Sequence, residues 1–416
     1  MLFQEQVRKV KQAAPKLAAT TNEQRNAALT AVREALLQHQ AEIFEANKQD
    51  LAQAEADGVS GPVRKRLKFD EGKLRDVTAG ISDLTKMEDP LFQTQFAREL
   101  DEGLVLKRVT CPIGVIGVIF EARPDALVQI SALCIKSGNC VILKGGREAL
   151  RSNKKLFDII HEAIIDAGLP ADSMMQLEAR SEINELLECH ESVDLLIPRG
   201  SNAFVQYIMN HTKIPVMGHA DGICHIYVDK DADLAKVVPI IVDAKTQYVS
   251  ACNTVETLLV HEAIKDQLLP MLKEALDAKK VELRGTKDVA AVVDCVPSTE
   301  ADDKTEYLDY ILSAKTVKNM DEAIDHINHF GSHHTDCIIT ENPDAAEHFM
   351  NLVDSAGVYQ NCSTRFADGY RYGFGAEVGI STGKTSRQRT GWTGRPGKLQ
   401  IQIVRNRTDR GRLCFR

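Results

Sequence analysis

Apolar residues recur at helical spacing through the first part of the chain, over residues 2–55. Leu29 and Val32 are two positions of such a stripe, and a stripe with this period marks a helix that buries one face. A further helix is expected over about 62–85, because Pro62 suits a first helical turn. The pattern therefore predicts a helical entry region without evident chemistry.

The pattern changes between residues 99 and 120. The segment ELDEGLVLKRVTCPIGVIGVIF first alternates between apolar and polar residues and then becomes continuously apolar. This predicts a hairpin over 99–113 followed by a buried strand. Shorter apolar runs at 141–143 and 193–197 are each followed by a helical segment. Such an order of strands and helices predicts an open parallel sheet, whose ligands bind at the carboxyl ends of the strands.

A second α/β region is predicted further along the chain. ICHIYV at 223–228 indicates a strand, and a helix is expected over about 231–245. The apolar run 255–260 indicates another buried strand, and residues 313–340 predict a strand, a helix and a strand.

One cysteine, Cys252, stands in the turn that enters the strand from Val255. A thiolate held there can attack an acyl carbon, while its own N–H and the Asn253 amide lie close enough to stabilise the oxyanion that forms. A free cysteine is also among the most commonly buried residue types. The local pattern therefore leaves a catalytic and a purely structural reading open.

Two loops at predicted strand ends combine glycine with polar or cationic residues. Lys144-Gly145-Gly146-Arg147 follows one strand, and Gly200-Ser201 follows another. Such loops can approach and neutralise a phosphate group, although the same residues are typical of ordinary strand-to-helix turns. The chain has no G-x-G-x-x-G, so the first-strand fingerprint is not what would hold a nucleotide.

Composition argues against several classes of protein. The chain has 416 residues, enough for two or three domains, and a net charge of −8 with a pI near 5.9. This charge argues against nucleic acid or an anionic membrane as the partner. The ten cysteines are scattered without a C-x-x-C pair, no secretory signal is present, and no apolar run reaches ~18–20 residues. We expect a cytoplasmic protein with free thiols.

A histidine-rich segment near residue 330 contains residue types that can bind a metal. Its spacing matches no zinc motif, so no metal site is expected. The residues are His326, His329, His333, His334 and Asp336.

Six long motifs follow one another along the chain from about residue 5 to 384. They are GVIGVIFEARPDALVQ (114–129), VILKGGREALRSN (141–153), DLLIPRGSNAFVQ (194–206), YVSACNTVETLLVH (248–261), VKNMDEAIDHINHFGSHHTD (317–336) and YQNCSTRFADG followed by GFGAEVGISTGK (359–384). Together they resemble the gamma-glutamyl phosphate reductase family of the aldehyde dehydrogenase superfamily.

The resemblance implies an α/β, aldehyde-dehydrogenase-like fold with three parts. A Rossmann-type cofactor domain is expected over 1–240 and an α/β catalytic domain over 241–360. Residues 361–416 would return to the cofactor and oligomerisation region. The 99–113 hairpin and the C-terminus would form a small β oligomerisation extension, so a homo-oligomer is expected.

The resemblance also implies a reaction. The family reduces L-glutamyl 5-phosphate to L-glutamate 5-semialdehyde and phosphate with NADPH, as a step of proline synthesis. Cys252 matches its nucleophile, with Asn253 beside it, and would form a thioester that accepts hydride. Hydrolytic members of the superfamily use a glutamate base, and the corresponding segment here, 217–228, has no glutamate. Glutamate 5-kinase, which makes the acyl phosphate, is a further expected partner.

Cofactor residues are implied in the two loops. Where NAD-preferring relatives have an acidic residue, this chain has Arg147. With Lys144 it would favour the 2′-phosphate of NADPH, although Glu148 is adjacent. Ser201, after Gly200, matches the pyrophosphate contact of the superfamily.

Three residues are candidates for contacts with the substrate's polar groups. Arg123 stands where aldehyde dehydrogenases place the oxyanion asparagine. It would meet the substrate's phosphate or carboxylate, or else form a structural salt bridge. Asn361 and Arg365 are further candidates for the substrate's polar end.

The family pattern stops after Lys384. Relatives end with a segment resembling KLHARGPVGLEGL, and codons permitted by residues 384–396, read one base later, spell that string. The hypothesis is a one-base frameshift near Gly383 or Lys384, which would make residues 385–416 non-native.

Two other functions stay open at this point. One is an acylating semialdehyde dehydrogenase that uses another acyl donor. The other is a nucleotide-binding homologue without catalysis, which would follow if the altered tail prevented assembly.

Overall fold

The computed structural model describes most of the chain. The described residues are 3–179, 181–218, 221–369, 371–373 and the strand Ile401–Val404. The chain divides into a first unit, Met1–Gly218, and a second unit, His219–Arg416. Most of the predicted motif at 373–384 and, apart from that strand, the tail with the hypothetical frameshift lie outside the described residues.

The first unit begins with helices, as predicted. Its helices are α1 Phe3–Ala18, α2 Asn22–Gln38, α3 Gln40–Ala56, α4 Gly61–Leu67, α5 Glu71–Lys86, α6 Pro124–Lys136, α7 Leu150–Asp166, α8 Ser181–Glu188 and α9 Asn202–Asn210. Its strands are β1 Thr94–Asp101, β2 Leu104–Val109, β3 Val115–Ile119, β4 Cys140–Lys144, β5 Met174–Leu177 and β6 Leu195–Pro198. The single helix expected over 62–85 is wrong: the segment divides into α4 and α5, because Asp70 caps α5 by accepting from the N–H of Lys73.

Strands β3 to β6 form a parallel sheet in the order β5-β4-β3-β6. Ile116 of β3 lies opposite Val141 of β4 and Leu195 of β6. Both β3 and β4 are buried along their whole length, which explains why their sequences are continuous apolar runs. The chain passes from β3 outward to β4 and β5 and then returns to β6 on the other side of β3. The strand order therefore reverses between β3 and β6.

Strands β1 and β2 form a separate antiparallel hairpin. The hairpin was expected from residue 99, but β1 already begins at Thr94. Both strands are exposed along their whole length, so no buried face marks their ends in the sequence. Phe96, Leu100 and Leu104 keep 47%, 55% and 57% of their surface exposed. Such a concentration of exposed apolar side chains is typical of a surface that another chain covers.

The second unit alternates strands and helices, as predicted. Its strands are β7 Cys224–Val228, β8 Val255–His261, β9 Glu282–Gly285, β10 Val296–Pro297, β11 Ile311–Val317, β12 Thr335–Ile339, β13 Gly357–Gln360 and β14 Ile401–Val404. Its helices are α10 Leu234–Thr246, α11 Lys265–Ala278, α12 Lys287–Ala290, α13 Met320–Phe330 and α14 Pro343–Leu352. Among the described helices of both units, none is long and apolar enough to cross a membrane.

The strands of the second unit form one sheet, in the order β10-β9-β11-β8-β7-β12-β13-β14. Neighbouring strands pair in parallel, including β14 of the tail with β13. The resemblance implied that the C-terminus joins the hairpin in a small β extension. The described strand of the tail, β14, instead extends this larger sheet.

Alternate residues of the strands face two different groups of helices. Ile226 and Val228 of β7 share a core with residues of α10 and α11. Tyr227, between them, packs with residues of α13 and α14. Because both faces are covered, β7 and β8 lack the alternation of a half-exposed strand, and they also bury the polar residues His225 and Glu256.

Strand β7 belongs to the sheet of the second unit, although it precedes residue 240. The structural units divide after Gly218. The cofactor domain expected over 1–240 and the catalytic domain expected over 241–360 stay predictions about how function is divided along the chain.

Candidate active site

A cavity of about 340 Å³ opens in the first unit at the carboxyl ends of β3 and β6. Its lining residues are Arg66, Phe120, Glu121, Arg123, Ala126, Arg199, Gly200 and Ser201. Because the strand order reverses here, this is the position at which open α/β sheets bind ligands. The structure brings Gly200 and Ser201, predicted for the cofactor, together with Arg123, predicted for the substrate.

Gly200 and Ser201 form the turn between β6 and α9. Ser201 is the N-cap residue of α9 and has extended backbone angles. A Cβ at Gly200 would lie 3.1 Å from the carboxyl group of Glu121 and 3.1 Å from the ring of Phe204. Glycine therefore keeps this edge of the cavity open, where the positive end of the α9 dipole favours an anion.

The loop from Lys144 to Arg147 follows β4. Lys144 is only 6% exposed, and its ammonium group donates to the carbonyl oxygen of Gly145 at 2.6 Å. Burial lowers the pKa of Lys144. Gly146 precedes a short 3-10 turn that begins at the exposed Arg147. The four predicted residues thus occupy the end of the strand next to β3, as expected.

Glu148 connects this loop to the end of β3. Its carboxylate accepts from the backbone N–H of Ala122 at 2.6 Å. Ala122 has a φ of 40°, in the left-handed region that residues with side chains seldom adopt. The acidic residue beside Arg147 therefore holds an unusual backbone conformation next to Arg123.

Glu121 brings a second carboxylate to the end of β3. Partial burial, followed by the charge of Glu148, raises the pKa of Glu121, and Arg66 opposes this shift. The cavity therefore contains a carboxylate whose charged form is held mainly by an arginine from α4.

Arg123 forms the salt bridge that was one of its two predicted roles, and it also lines the cavity. Its guanidinium donates to Asp125 at 3.2 Å, and Asp125 also accepts from Lys73 at 3.1 Å. Burial acts to raise the pKa of Asp125, but Arg123 and Lys73 together lower it below its usual value. The Arg123 side chain is 42% exposed and lines the cavity, so it forms a salt bridge and still reaches the site.

Cys252 lies in the turn before β8, as predicted. Its side chain is partly exposed, whereas Cys224 is buried. The thiol of Cys224 donates to the backbone oxygen of Cys252 at 3.4 Å, and burial raises the pKa of Cys224 well above its usual value. A Cβ at Gly222 would lie 2.2 Å from the same oxygen. The backbone of the predicted nucleophile thus packs directly against the segment that leads into β7.

A guanidinium lies close to Cys252. Arg365 donates to the side-chain oxygen of Asn253 and, through Nε, to Gln247 at 3.3 Å. Burial and then the charge of Arg371 lower the pKa of Arg365, while Cys252 acts in the opposite direction. An arginine remains charged at neutral pH. A positive charge beside a cysteine favours the thiolate, which is the reactive form.

Both the nitrogen and the oxygen of the Asn253 side-chain amide form hydrogen bonds. Its nitrogen donates to the carbonyl oxygen of Ala367 at 2.8 Å, and its oxygen accepts from Arg365. The residue is 4% exposed. The side chain therefore holds Arg365 at the Cys252 turn, and an oxyanion contact by Asn253 would use its backbone N–H.

Asn361 is also buried among hydrogen-bond partners. Its side-chain oxygen accepts from the N–H of Thr340 at 3.0 Å, and its nitrogen donates to the carbonyl of Thr340 at 2.9 Å and to Glu341 at 3.2 Å. These bonds join the ends of β12 and β13. The contact of Asn361 with substrate stays a prediction.

A buried ion pair connects the two elements that flank the Cys252 turn. Lys245, in the last turn of α10, lies 2.5 Å from Glu256 of β8, and both side chains are 0% exposed. Burial raises the pKa of Glu256 to about 7, although Lys245 acts to lower it. Removing either partner would leave an uncompensated buried group, so the pair ties helix and strand together on both sides of the turn.

The histidine-rich segment contributes to a buried network in the second unit. The rings of His225 and His326 meet edge to face at 5.4 Å. Asp336 lies 3.1 Å from Nδ1 of His225 and accepts from the hydroxyl of Ser355. Among the described residues, no group of three or more His, Cys, Asp or Glu side chains is arranged to hold a metal ion.

The sequence profile of the aldehyde dehydrogenase family matches residues 3–311. The chain is 55% identical over 384 residues to the gamma-glutamyl phosphate reductase of Acetivibrio thermocellus, covering 92% of this chain and 89% of that protein. The chain belongs to the gamma-glutamyl phosphate reductases of the aldehyde dehydrogenase family. Another member, gamma-glutamyl phosphate reductase 1 of Synechocystis sp., is 57% identical over 374 residues, with 90% and 86% of the two chains covered.

Solved structures agree with membership of this family. The crystal structure of gamma-glutamyl phosphate reductase from Thermotoga maritima has a TM-score of 0.89 and 39% identity, covering 93% of this chain and 94% of that one. An engineered glycolyl-CoA reductase with bound NADP+ has a TM-score of 0.61 and 18% identity, with 91% of each chain covered, and shows the fold alone. The predicted aldehyde-dehydrogenase-like α/β fold is confirmed. As a family member, the chain is an oxidoreductase that uses a nicotinamide cofactor.

Four residues near these sites had no role in the sequence-based prediction. They are Arg66, Glu121, Arg199 and Gly222. Glu121 and Arg199 stand near predicted residues at strand ends, so their place at the cavity could have been predicted from the sequence. Arg66 belongs to a helix without a chemical motif, and Gly222 is a single glycine in a loop. Neither could be recognised before the fold brought it to its partners.

Proposed function

We propose that the chain catalyses the NADPH-dependent reduction of L-glutamyl 5-phosphate to L-glutamate 5-semialdehyde and phosphate, a step of proline synthesis. The observation that carries the proposal is Cys252, a partly exposed thiol in a turn with the charged Arg365 beside it. It occurs in a chain 55% identical to a gamma-glutamyl phosphate reductase. A thiolate in this position is suited to attack an acyl phosphate.

The loops of the first unit fit a phosphorylated dinucleotide. Gly200 and Ser201 leave the start of α9 open for the pyrophosphate, and the 144–146 turn would approach a ribose. Arg147 is exposed and would pair with a 2′-phosphate, which is the reason to propose NADPH rather than NADH. The bound cofactor supplies the hydride for the reaction.

In the first step, the thiolate of Cys252 attacks the acyl carbon of the substrate. A C–S bond forms, the C–O bond to the phosphate breaks, and inorganic phosphate leaves. The backbone N–H groups of Cys252 and Asn253 would stabilise the oxyanion. The positive charge of Arg365 would favour the thiolate. Asn361 and Arg365 are the proposed contacts of the substrate's polar end in the second unit, and Arg123 is the candidate in the first unit.

In the second step, the thioester carbon receives hydride and the C–S bond breaks. Cys252 returns to the thiolate, and the aldehyde is released. Residues 217–228 have no glutamate to activate a water molecule. This composition favours a thioester that lasts until it is reduced.

The proposal extends to the setting in which the chain works. The hairpin β1–β2, with its exposed apolar side chains, is the proposed contact between copies in a homo-oligomer. Glutamate 5-kinase is the proposed source of the labile acyl phosphate. The cytoplasm is the proposed compartment, because the described cysteines do not form disulfide bonds with one another. We retain 1–240 as the proposed cofactor domain and 241–360 as the proposed catalytic domain.

The reverse reaction tests this function. Purified protein is mixed with glutamate semialdehyde, phosphate and NADP, and NADPH is followed by its absorbance. We expect phosphate-dependent formation of NADPH that is abolished in Cys252→Ala and retained in Cys111→Ala, which removes an exposed thiol from another part of the chain.

Two results would redirect the assignment. NADPH formation that requires coenzyme A and ignores phosphate would identify an acylating semialdehyde dehydrogenase. A folded protein that binds NADPH but shows no turnover with either acceptor would identify a homologue without catalysis.

A further inference from the structure

We propose that Arg66, together with Arg199, binds a phosphoryl group in the cavity at the ends of β3 and β6. The inference rests on the proposed function for the identity of the phosphorylated ligands, and it adds two binding residues to it. Both arginines line the cavity beside Gly200 and Ser201.

The charges of the lining residues favour an anion. Arg66, Arg123 and Arg199 face a cavity in which Glu121 is the lining carboxylate. Asp125, which is buried behind Arg123, neutralises part of that arginine's charge. Glu148 is a further carboxylate close to Glu121. The lining itself has three arginines and one carboxylate, which favours an anionic ligand.

Two helix N-termini add to this positive potential. Helix α6 begins immediately after Arg123, and Ala126 of its first turn lines the cavity. Helix α9 begins immediately after Ser201, on the other side of the strand reversal. The end of each helix dipole carries roughly half a positive charge. In α6, Pro124 has no N–H, Asp125 stands in the first turn, and the N–H of Ala126 donates to the carbonyl oxygen of Arg123 at 3.0 Å. The start of α9 is therefore the end whose N–H groups suit phosphate oxygens.

Arg66 reaches the cavity from the last turn of α4. Its side chain is exposed, and its charge attracts the carboxylate of Glu121. An incoming phosphoryl group would compete with Glu121 for the same guanidinium. The planar guanidinium can bind two phosphate oxygens at once, which a lysine ammonium cannot do with the same geometry.

Two ligands of the proposed reaction carry such a group. One is the cofactor, through its pyrophosphate, and the other is the acyl phosphate, which inorganic phosphate replaces in the reverse reaction. The two sources can be separated by measuring the dissociation constant of NADPH from fluorescence and the KM of phosphate from the reverse reaction.

The test compares Arg66→Met and Arg199→Met with Lys65→Met. Lys65 is an exposed neighbour on α4 that does not belong to the cavity lining, so its substitution changes the net charge equally. We expect Arg66→Met to raise one of the two constants about 10-fold or more, because it removes a charge-assisted contact. Arg66→Lys should restore part of the loss, and the salt dependence of binding should weaken in Arg66→Met.

A rise confined to the NADPH constant assigns Arg66 to the cofactor pyrophosphate, and a rise confined to the phosphate KM assigns it to the acyl phosphate. The proposal is overturned when neither constant differs between Arg66→Met and Lys65→Met, or when the wild-type protein binds neither ligand. Titration of NADPH and calorimetry with phosphate need no turnover, so failure of the proposed reaction can be recognised separately.

Discussion

Gly222 packs against the backbone of the proposed nucleophile, Cys252, and leaves no room there for a side chain. A Cβ there would lie 2.2 Å from the backbone oxygen of Cys252 and 2.6 Å from its Cα. These distances are too short for any real contact, so Gly222→Ala must displace the turn. A displacement of about 1 Å near a reacting atom can cost about 10²-fold in rate. We expect a loss of this size in kcat/KM, with the NADPH dissociation constant unchanged.

The matched control is Gly80→Ala. Gly80 lies inside α5, and a Cβ there would meet no atom within 4 Å. The same chemical change should leave activity intact and stabilise the helix by up to about 1 kcal/mol, because glycine is a poor helix former. Full activity in Gly222→Ala would contradict the close approach to Cys252.

Arg365 offers a test of how the thiol becomes reactive. Its charge lies next to Cys252 and favours the thiolate. In Arg365→Met we expect alkylation of Cys252 by iodoacetamide to slow by about 10-fold at pH 7, which corresponds to a change of about one pH unit in its profile. Arg365→Lys keeps a positive charge, so its alkylation rate should lie between those of the wild type and Arg365→Met. Mass spectrometry can follow Cys252, with the exposed Cys111 as an internal reference.

The alkylation profile also distinguishes two roles of Arg365, binding the substrate and ionising Cys252. If Cys252 reacts normally in Arg365→Met while the KM of the substrate rises, Arg365 serves the substrate's polar end, as the sequence suggested. If the profile shifts, its main role is to ionise the nucleophile.

At the scale of elements, helix α13 introduces a buried titratable group into the core. Burial lowers the pKa of His326 to about 3. In the unfolded chain a histidine has a pKa near 6.5, so between about pH 6.5 and 3 the unfolded state binds a proton that the folded state excludes. Stability is therefore complete above pH 6.5 and falls as the pH decreases through this window.

The loss of stability with falling pH can be tested in a variant. His326→Gln should lose less of its thermal midpoint between pH 7 and pH 5 than the wild-type protein loses, even if its midpoint at pH 7 is lower. The control is His190→Gln, which changes an exposed histidine and should leave the acid dependence as it is. Parallel pH curves for wild type and His326→Gln would show that His326 does not remain neutral in the folded protein.

Which elements the sequence could predict depended on their burial. Strands β3, β4, β7 and β8 are covered on both faces, so mostly apolar runs identified them, although β7 and β8 also bury His225 and Glu256. The start of β1 was missed because this strand has no buried face and therefore no periodic signal. The break before α5 depends on a single capping residue, Asp70, whose effect a helical stripe does not reveal.

The candidate site was predictable where its residues share one turn. Lys144 with Arg147, Gly200 with Ser201, and Cys252 with Asn253 are neighbours in sequence at strand ends, and the structure places them there. The contacts of Gly222 with Cys252 and of Lys245 with Glu256, and the electrostatic attraction of Arg66 for Glu121, join different elements. The periodicity of one sequence identifies each element but does not determine which elements become neighbours.

At the scale of the whole molecule, the two sets of predicted residues belong to different structural units. The predicted cofactor residues lie in Met1–Gly218, and Cys252 lies in His219–Arg416. Binding and chemistry are therefore expected to respond separately to mutation. This division explains why NADPH titration is an informative control for every variant of the Cys252 turn.

The β1–β2 hairpin is the proposed contact between copies of the chain. Pairing of β1 with β2 puts Leu104 opposite Asp101 and Leu106 opposite Arg98, and the two leucines are 57% and 48% exposed. Exposing so much apolar surface to water is unfavourable, which supports the proposal that another copy of the chain covers it. We expect the double substitution Leu104→Asp and Leu106→Asp to dissociate the oligomer, as measured by sedimentation velocity at a fixed protein concentration.

A control for the added charge is available on α11. Met271 is 48% exposed, so Met271→Asp makes the same kind of change on a different element and should leave the sedimentation coefficient unchanged. If the wild-type protein already sediments as a monomer, the hairpin does not join copies of this chain. If the doubly substituted protein dissociates but still binds NADPH, the cofactor site forms within a single chain and does not require assembly. Loss of both properties together would instead show that the hairpin supports the fold of the unit from which it extends.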